Sequence, residues 1–224
     1  MVITKNRTED MHIKIHNNKV ADNDRFGESK WWGSADLPAD MEYPQYIDGE
    51  GESWEMQFIC QINLADLSAY DTALPKEGLL LFFAHIDYFL GYDDPEVPGE
   101  GVWDACETKV VYVAPDQFEN LQQRILVDDN DEPVCIPCRE MTFEYAEEDA
   151  SDCHNKLFGR PDFMPWEDWE APCEGWKVLL EVDSDEADDF CLRFMDEGVM
   201  YFLINPDDLS NARFENVRGA MVSM

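Results

Sequence analysis

Two cysteines in C-I-P-C, Cys135 and Cys138, carry the spacing in this chain that most directly suggests chemistry. That spacing suits zinc, with Cys153, His154 or Cys173 completing a tetrahedral set, and it suits thiol–disulfide exchange. Against zinc, there is no second CxxC, and adjacent Cys153 and His154 make an awkward ligand pair. Redox work needs an electropositive setting that lowers a thiol pKa. Here Glu132 and Glu140 flank the motif and Pro137 sits inside it. The pair is therefore expected to be structural and strand-borne, leaving Cys135 and Cys138 as weak metal candidates and no cofactor implied.

Other chemistry-bearing residues receive the same two-sided treatment. DSDEADDF opens like a calcium loop with Asp183 and Asp185, yet it lacks a Gly at the sixth position and has Phe194 at the twelfth. DDNDEP has Pro133 where that Gly belongs. His85 and Asp87, two apart, would share one face of a strand, as a base with its orienting carboxylate or as a satisfied polar pair; the second is favoured. Asp36 and Asp162 recur beside Gly33 and Gly159, where a carboxylate capping a turn is the plain reading. Trp31, Trp32, Trp166 and Trp169 surround the same glycines, and most such rings are expected to plug the ends of a β-rich core. No G-x-S-x-G, P-loop, G-x-G-x-x-G or H-E-x-x-H occurs, and no catalytic residue can be assigned.

The medium around these residues is strongly acidic. Fifty Asp and Glu against 16 Lys and Arg give a formal charge of −34. A surface of this sign repels nucleic-acid phosphates and anionic lipid, so neither is an expected partner. It attracts metals, polyamines or a basic protein, though solubility alone is an adequate reason for such charge. Salt adaptation fits less well, because 13 Phe and 7 Trp show no thinning of the core. The polar start MVITKNRTED has no apolar signal core, and seven Cys, an odd number, fit reduced thiols in a cytoplasm.

The elements that must position these residues read mainly as strands. MHIKIH alternates from Met11, as a half-buried strand does, and residues 141–145 alternate likewise. Residues 58–64 (FICQINL) and 79–86 (LLLFFAHI) are continuous apolar runs that predict buried strands, and 109–113 (KVVYV) is another strand. Asp116 and Glu119 have capping-box spacing, and Phe118, Leu121 and Ile125 share a helical face, so a helix is expected over 116–125. Residues 87–107 read as loop.

The chain also resembles itself. Residues 56–84 set beside 176–204, at an offset of 120, align Phe58, Ile59 and Cys60 with Val178, Leu179 and Leu180, and Glu77-Gly78 with Glu197-Gly198. KWWGSADLP and KLFGRPDF precede the two copies. The expected unit is a Gly turn, a strand, a short helical crossover, an EG turn and a strand. Two copies would close one core in a single compact α+β, β-rich domain. Unit one spans about residues 29–115, an acidic connector about 128–153, and unit two about 154–224.

These segments also carry a resemblance to a known family. SKWWGSADLP, FICQINLADL, LPKEGLLLFF, NKLFGRPDF, FMDEGVMYFLI and DDLSNARFENV look like the ordered motifs of the YwqG-like family, from about Ser29 onward. The runs at residues 61–67 and 74–83 are its most specific elements. Trp32, Ala35, Pro165, Phe194 and Met195 depart from the usual pattern. The resemblance implies a bacterial domain of unknown function, a β-rich α+β fold and an internal duplication, with no established activity.

Three function classes follow. An acidic module that binds a basic protein, such as one neutralising a toxin or nuclease, rests on charge and on aromatics set among acids. Its contact surface is expected to use Trp31, Trp32, Asp36, Asp162, Trp166 and Trp169. A small-ligand or metal binder, and a hydrolase with carboxylates in a cleft between the units, are the alternatives.

Overall fold

The structure is a computed structural model that describes residues 11–17, 19–86, 97–128, 130–147, 155–161, 169–187, 190–194 and 198–223. The protein is β-rich, with few helices. Its first nine strands are β1 (Met11–His16), β2 (Lys30–Trp31), β3 (Ala35–Pro38), β4 (Gln45–Ile47), β5 (Ser53–Glu55), β6 (Gln57–Asn63), β7 (Leu79–Ala84), β8 (Gly101–Val102) and β9 (Thr108–Val113). The remainder are β10 (Leu121–Arg124), β11 (Arg139–Glu140), β12 (Thr142–Glu147), β13 (Lys156–Phe158), β14 (Lys177–Asp183), β15 (Asp185–Ala187), β16 (Phe190–Leu192), β17 (Val199–Ile204) and β18 (Arg218–Val222). Among the described residues one short α-helix, α1, covers Pro206–Ser210.

Two sheets carry the fold. One has seven strands in the order β12-β1-β13-β14-β17-β18-β8, the other five in the order β11-β2-β6-β7-β9. Their central hairpins explain the long apolar runs. Leu80, Phe82 and Ala84 of β7 and Met200, Phe202 and Ile204 of β17 point into one shared cluster, where the rings of Phe82 and Phe202 meet at 5.1 Å. The alternate residues Leu79, Leu81 and Phe83 face a second cluster, covered by β3 and Phe118. Val199, Tyr201 and Leu203 face a third, covered by Trp169 and Cys173. Strands buried on both faces cannot alternate with polar residues, because every side chain leaves water.

The two halves repeat several details. In both hairpins the register shifts at the same point, between Phe58 and Cys60 in β6 and between Val178 and Leu180 in β14. Gln57 pairs with Ala84, and Lys177 with Ile204. Lys30 pairs with Gln61, and Lys156 with Glu181. Trp32 and Gly33 have φ of 58° and 80°, Phe158 and Gly159 of 61° and 79°. The residue before each lysine holds the end of the neighbouring strand: Ser29 Oγ accepts the Asn63 N–H, and Asn155 Oδ1 accepts that of Asp183, both at 2.9 Å.

Three expectations are corrected. Residues 116–125 do not form a helix: a 3₁₀ turn over Pro115–Asn120 leads into β10, which pairs with β3 from Leu121↔Pro38 to Arg124↔Ala35. The ladder to β3 outweighs the helical spacing, and Gln117 rather than Glu119 reaches back, accepting the Ala114 N–H at 3.2 Å. The crossover between the paired strands is a 3₁₀ turn in the first half (Leu64–Leu67), whereas the second half has the β15–β16 hairpin in the matching place. The loop expected over 87–107 contains the short strand β8, and residues 87–96 lie outside the described residues.

Candidate functional site

Trp31, Trp32 and Asp36 are interior residues, with exposures of 1%, 0% and 0%. The two indoles meet edge to face at 6.0 Å. Asp36 does not cap the Gly33 turn, as its place in the motif suggested. It lies on β3, and its Oδ2 accepts from Lys30 Nζ at 2.9 Å, Gln61 Nε2 at 2.6 Å and the Gly27 N–H at 2.8 Å. Lys30 is equally buried and also donates to the Asp24 carbonyl. In the second half the matching lysine, Lys156, meets Glu181 at 3.4 Å, an acid that stands where the first half has Gln61. A charge within this core is tolerable because a partner of opposite sign meets it there.

Trp169 is 5% exposed and packs on Tyr201, with ring centroids 5.2 Å apart, in the outer cluster of the other sheet. It therefore does not join Trp31 and Trp32. Asp162 and Trp166 lie outside the described residues. The four described residues of the expected contact surface are thus directed inward, because both faces of each sheet's central strands are covered.

The C-I-P-C segment precedes β11 as extended chain rather than lying on a strand. Its backbone is held by Gly33 N–H donating to the Ile136 carbonyl at 3.0 Å and Ala21 N–H donating to that of Cys138 at 2.8 Å. Gly33 is required there: a β-carbon on it would come within 2.9 Å of Cys138 Cβ, and its φ of +80° disfavours side chains. Burial pushes the Cys138 thiol up to about 11, far from a reactive thiolate, with the Lys30 and Arg25 charges opposing only in part. Cys135 is exposed. Among the described residues no group of three or more His, Cys, Asp or Glu is placed to hold a metal. The DDNDEP segment is a turn organised by Asp128, whose Oδ1 accepts the N–H groups of Asn130 at 2.8 Å and Glu132 at 3.0 Å.

His85 finds its partner across the ladder. Its Nδ1 lies 2.5 Å from Glu107 Oε2, and its ring stacks on Tyr46 with centroids 3.6 Å apart. Asp87, the partner suggested by spacing, lies outside the described residues. Tyr46 belongs to the β4–β5 hairpin, which stands at the surface with Ile47 64% and Trp54 50% exposed. Trp54 Nε1 donates to Asp48 Oδ2 at 2.9 Å, while Asp48 Oδ1 accepts the N–H groups of Glu50 and Glu52, each at 2.9 Å. The indole is thereby pinned beside exposed Glu50, Glu52 and Glu55.

Beside this hairpin runs a groove of about 710 Å³. Its floor is Lys109 to Tyr112 of β9, one wall includes Glu42 and Pro44, and the other includes Phe214 and Glu215. Among the described residues strand β9 ends the five-stranded sheet, and one of its sides has no ladder. The volume lies within the range usual for ligand sites.

Sequence reasoning missed both the groove and the exposed hairpin. The groove depends on which strand ends a sheet, and spacing does not reveal that. The hairpin had a visible signal: residues 45–55 place Ile47 and Trp54 either side of the turn residues D-G-E-G-E, a hairpin pattern.

No curated protein shows significant similarity to the chain. A family model does match, over residues 29–221, which takes in the lysine-bearing turns, both central hairpins, the groove floor and the hairpin beside it. The chain belongs to that family, described as a domain of unknown function (DUF1963).

Proposed function

We propose that this protein is a cytoplasmic acidic module that binds a basic protein, with neutralisation of a basic toxin or nuclease as the version its charge suits. The observation that carries the reading is an acid-rimmed groove, open along a sheet edge and adjoined by an acidic hairpin with a half-exposed Trp54, on a chain of formal charge −34. Aromatic rings amid carboxylates suit Lys and Arg side chains, through attraction to the ring face and through ion pairing. The YwqG-like resemblance is compatible with the family match, and the matched registers, bulges and lysine-bearing turns support a duplicated unit closing one domain around the shared core. Among the described residues the buried carboxylates Asp36 and Glu181 each face a lysine.

The test is affinity capture at low salt from an extract of the cells that carry the protein, followed by binding measurements with each purified candidate. A basic partner should be recovered, and its affinity should fall at least about tenfold between about 50 and 300 mM NaCl, as screening shortens the reach of the charges. The Glu50→Gln/Glu52→Gln/Glu55→Gln variant should flatten that dependence. Absence of any specific partner at low salt, or a partner indifferent to salt and to the variant, overturns the reading.

A further inference from the structure

The exposed side of β9 has a defined chemistry. His85 N–H donates to the Glu107 carbonyl at 2.8 Å, and the pairs Phe83↔Lys109 and Leu81↔Val111 continue that phase of the ladder. In an antiparallel pair the bonded residues alternate. Lys109 and Val111 therefore direct their N–H and C=O groups at β7, whereas Val110 and Tyr112 direct theirs at the groove. Among the described residues, neither outward N–H has a hydrogen-bond partner. Below them, the side chain of Val110 is 3% exposed, and Tyr112 is fixed by its hydroxyl donating to the Glu77 carbonyl at 3.0 Å. The edge is thus rigid, presents paired donors and acceptors, and has room beside it.

We infer that this groove is a strand-addition slot, in which an extended segment of a partner protein, carrying Lys or Arg at alternate positions, pairs with β9. The inference rests on the acidic-module reading and names its mode of recognition. A row of open N–H and C=O groups is a template for another strand. The sign of the occupant follows from the surroundings: Glu42 and Glu215 stand on the two walls, and Glu77 and Asp116 lie close enough to Tyr112 to help raise its hydroxyl pKa, behind the larger effect of burial. Lys109 is the single cation among the residues lining the groove. In a strand, alternate side chains take opposite faces, so an alternating basic segment directs its cations to one wall and its apolar groups to the other.

The probe is a blocked peptide of alternating Lys and Val, about seven residues long, with two isomers of equal charge that are N-methylated at its Lys or at its Val positions. Binding to the wild-type protein is measured at about 20 mM NaCl, where surface charges are least screened, and amide exchange is followed by NMR. The expected result is that saturating peptide slows exchange of Val110 and Tyr112 N–H at least about tenfold, leaves Lys109 and Val111 within about twofold, and that one methylated isomer binds at least about tenfold more weakly than the other. Binding of all three peptides alike, without alternating protection, overturns strand addition and leaves the acidic-module reading standing. No binding of the parent peptide at this salt concentration likewise overturns strand addition, and the acidic-module reading falls only on the capture experiment.

Discussion

Asp36 Oδ2 receives three donors in a place without solvent, and one of them is a lysine ammonium. Removing the carboxylate would leave that ammonium buried and uncompensated, which costs more than the pair contributes. Asp36→Ala is therefore expected to destabilise the protein by about 3–5 kcal/mol, measured by urea unfolding. The double variant Lys30→Met/Asp36→Leu should retain more stability than Asp36→Ala alone. A single-variant loss under about 1 kcal/mol would show that water reaches the site. The sequence made Lys30, Gly33 and Asp36 visible as a motif, because the same types recur at Lys156, Gly159 and Asp162. It did not reveal that Asp36 answers Lys30. The two lie six residues apart, and only the left-handed pair Trp32–Gly33, with φ of 58° and 80°, turns β3 back toward the lysine.

Among the elements, two surface loops share one construction. Asp48 N–H donates to the Glu52 carbonyl and Gly51 N–H to that of Asp48; Asp128 N–H donates to the Glu132 carbonyl and Asp131 N–H to that of Asp128. Each first carboxylate accepts the N–H groups two and four residues on. Left-handed residues at Gly51 (φ 87°) and Asp131 (φ 62°) complete both. Asp48 is held below the usual carboxylate range mainly by the Glu52 N–H and then by the Trp54 indole; Asp128 is held down mainly by the Glu132 N–H and then by the Asn130 side chain. A depressed pKa means that the folded loop favours the charged form, so its contribution is complete above the ordinary value of 3.8 and fades as pH falls through the lower folded one. The amide resonances of Glu52 and Glu132 should accordingly hold steady from about pH 7 to 5 and move only below the ordinary carboxylate range. Movement centred at or above that value would contradict the geometry. Strands with unambiguous patterns, such as MHIKIH and LLLFFA, were legible residue by residue. The stretch 116–125 was not, because its apolar spacing serves a 3₁₀ turn followed by β10 equally well once β3 is there to pair with.

The whole molecule carries its −34 charge on a surface wrapped around three hydrophobic clusters. Packing acids this densely opposes compaction, and added salt relieves the repulsion. Thermal stability should rise by several degrees between about 10 and 300 mM NaCl, while partner affinity falls over the same range. A melting temperature that drops with salt would mean that surface ion pairs, such as Lys19–Glu140 and Arg213–Asp208, outweigh the repulsion. At this scale the offset of 120 residues was the most informative signal in the sequence, since it set Phe58–Cys60 beside Val178–Leu180, the stretches where both hairpins shift register. It was silent on the edges. Whether a strand ends a sheet depends on partners far along the chain, and β9 reads no differently from a central strand.

One such distant partnership fixes an order of events. Strand β1 lies between β12 and β13, with Ile13 opposite Tyr145 on one side and Leu157 on the other. At a ribosomal rate of about 5–20 residues per second, β1 waits roughly 6–26 s before β12, the earlier of its two neighbours, has been synthesised. Through that interval its alternating MHIKIH segment has no place in the sheet to enter, so a nascent chain halted before β12 offers it to whatever strand it meets. Within the seven-stranded sheet β1 can thus be enclosed as soon as β13 is made, before β14, β17 and β18, which follow in sequence, have been added.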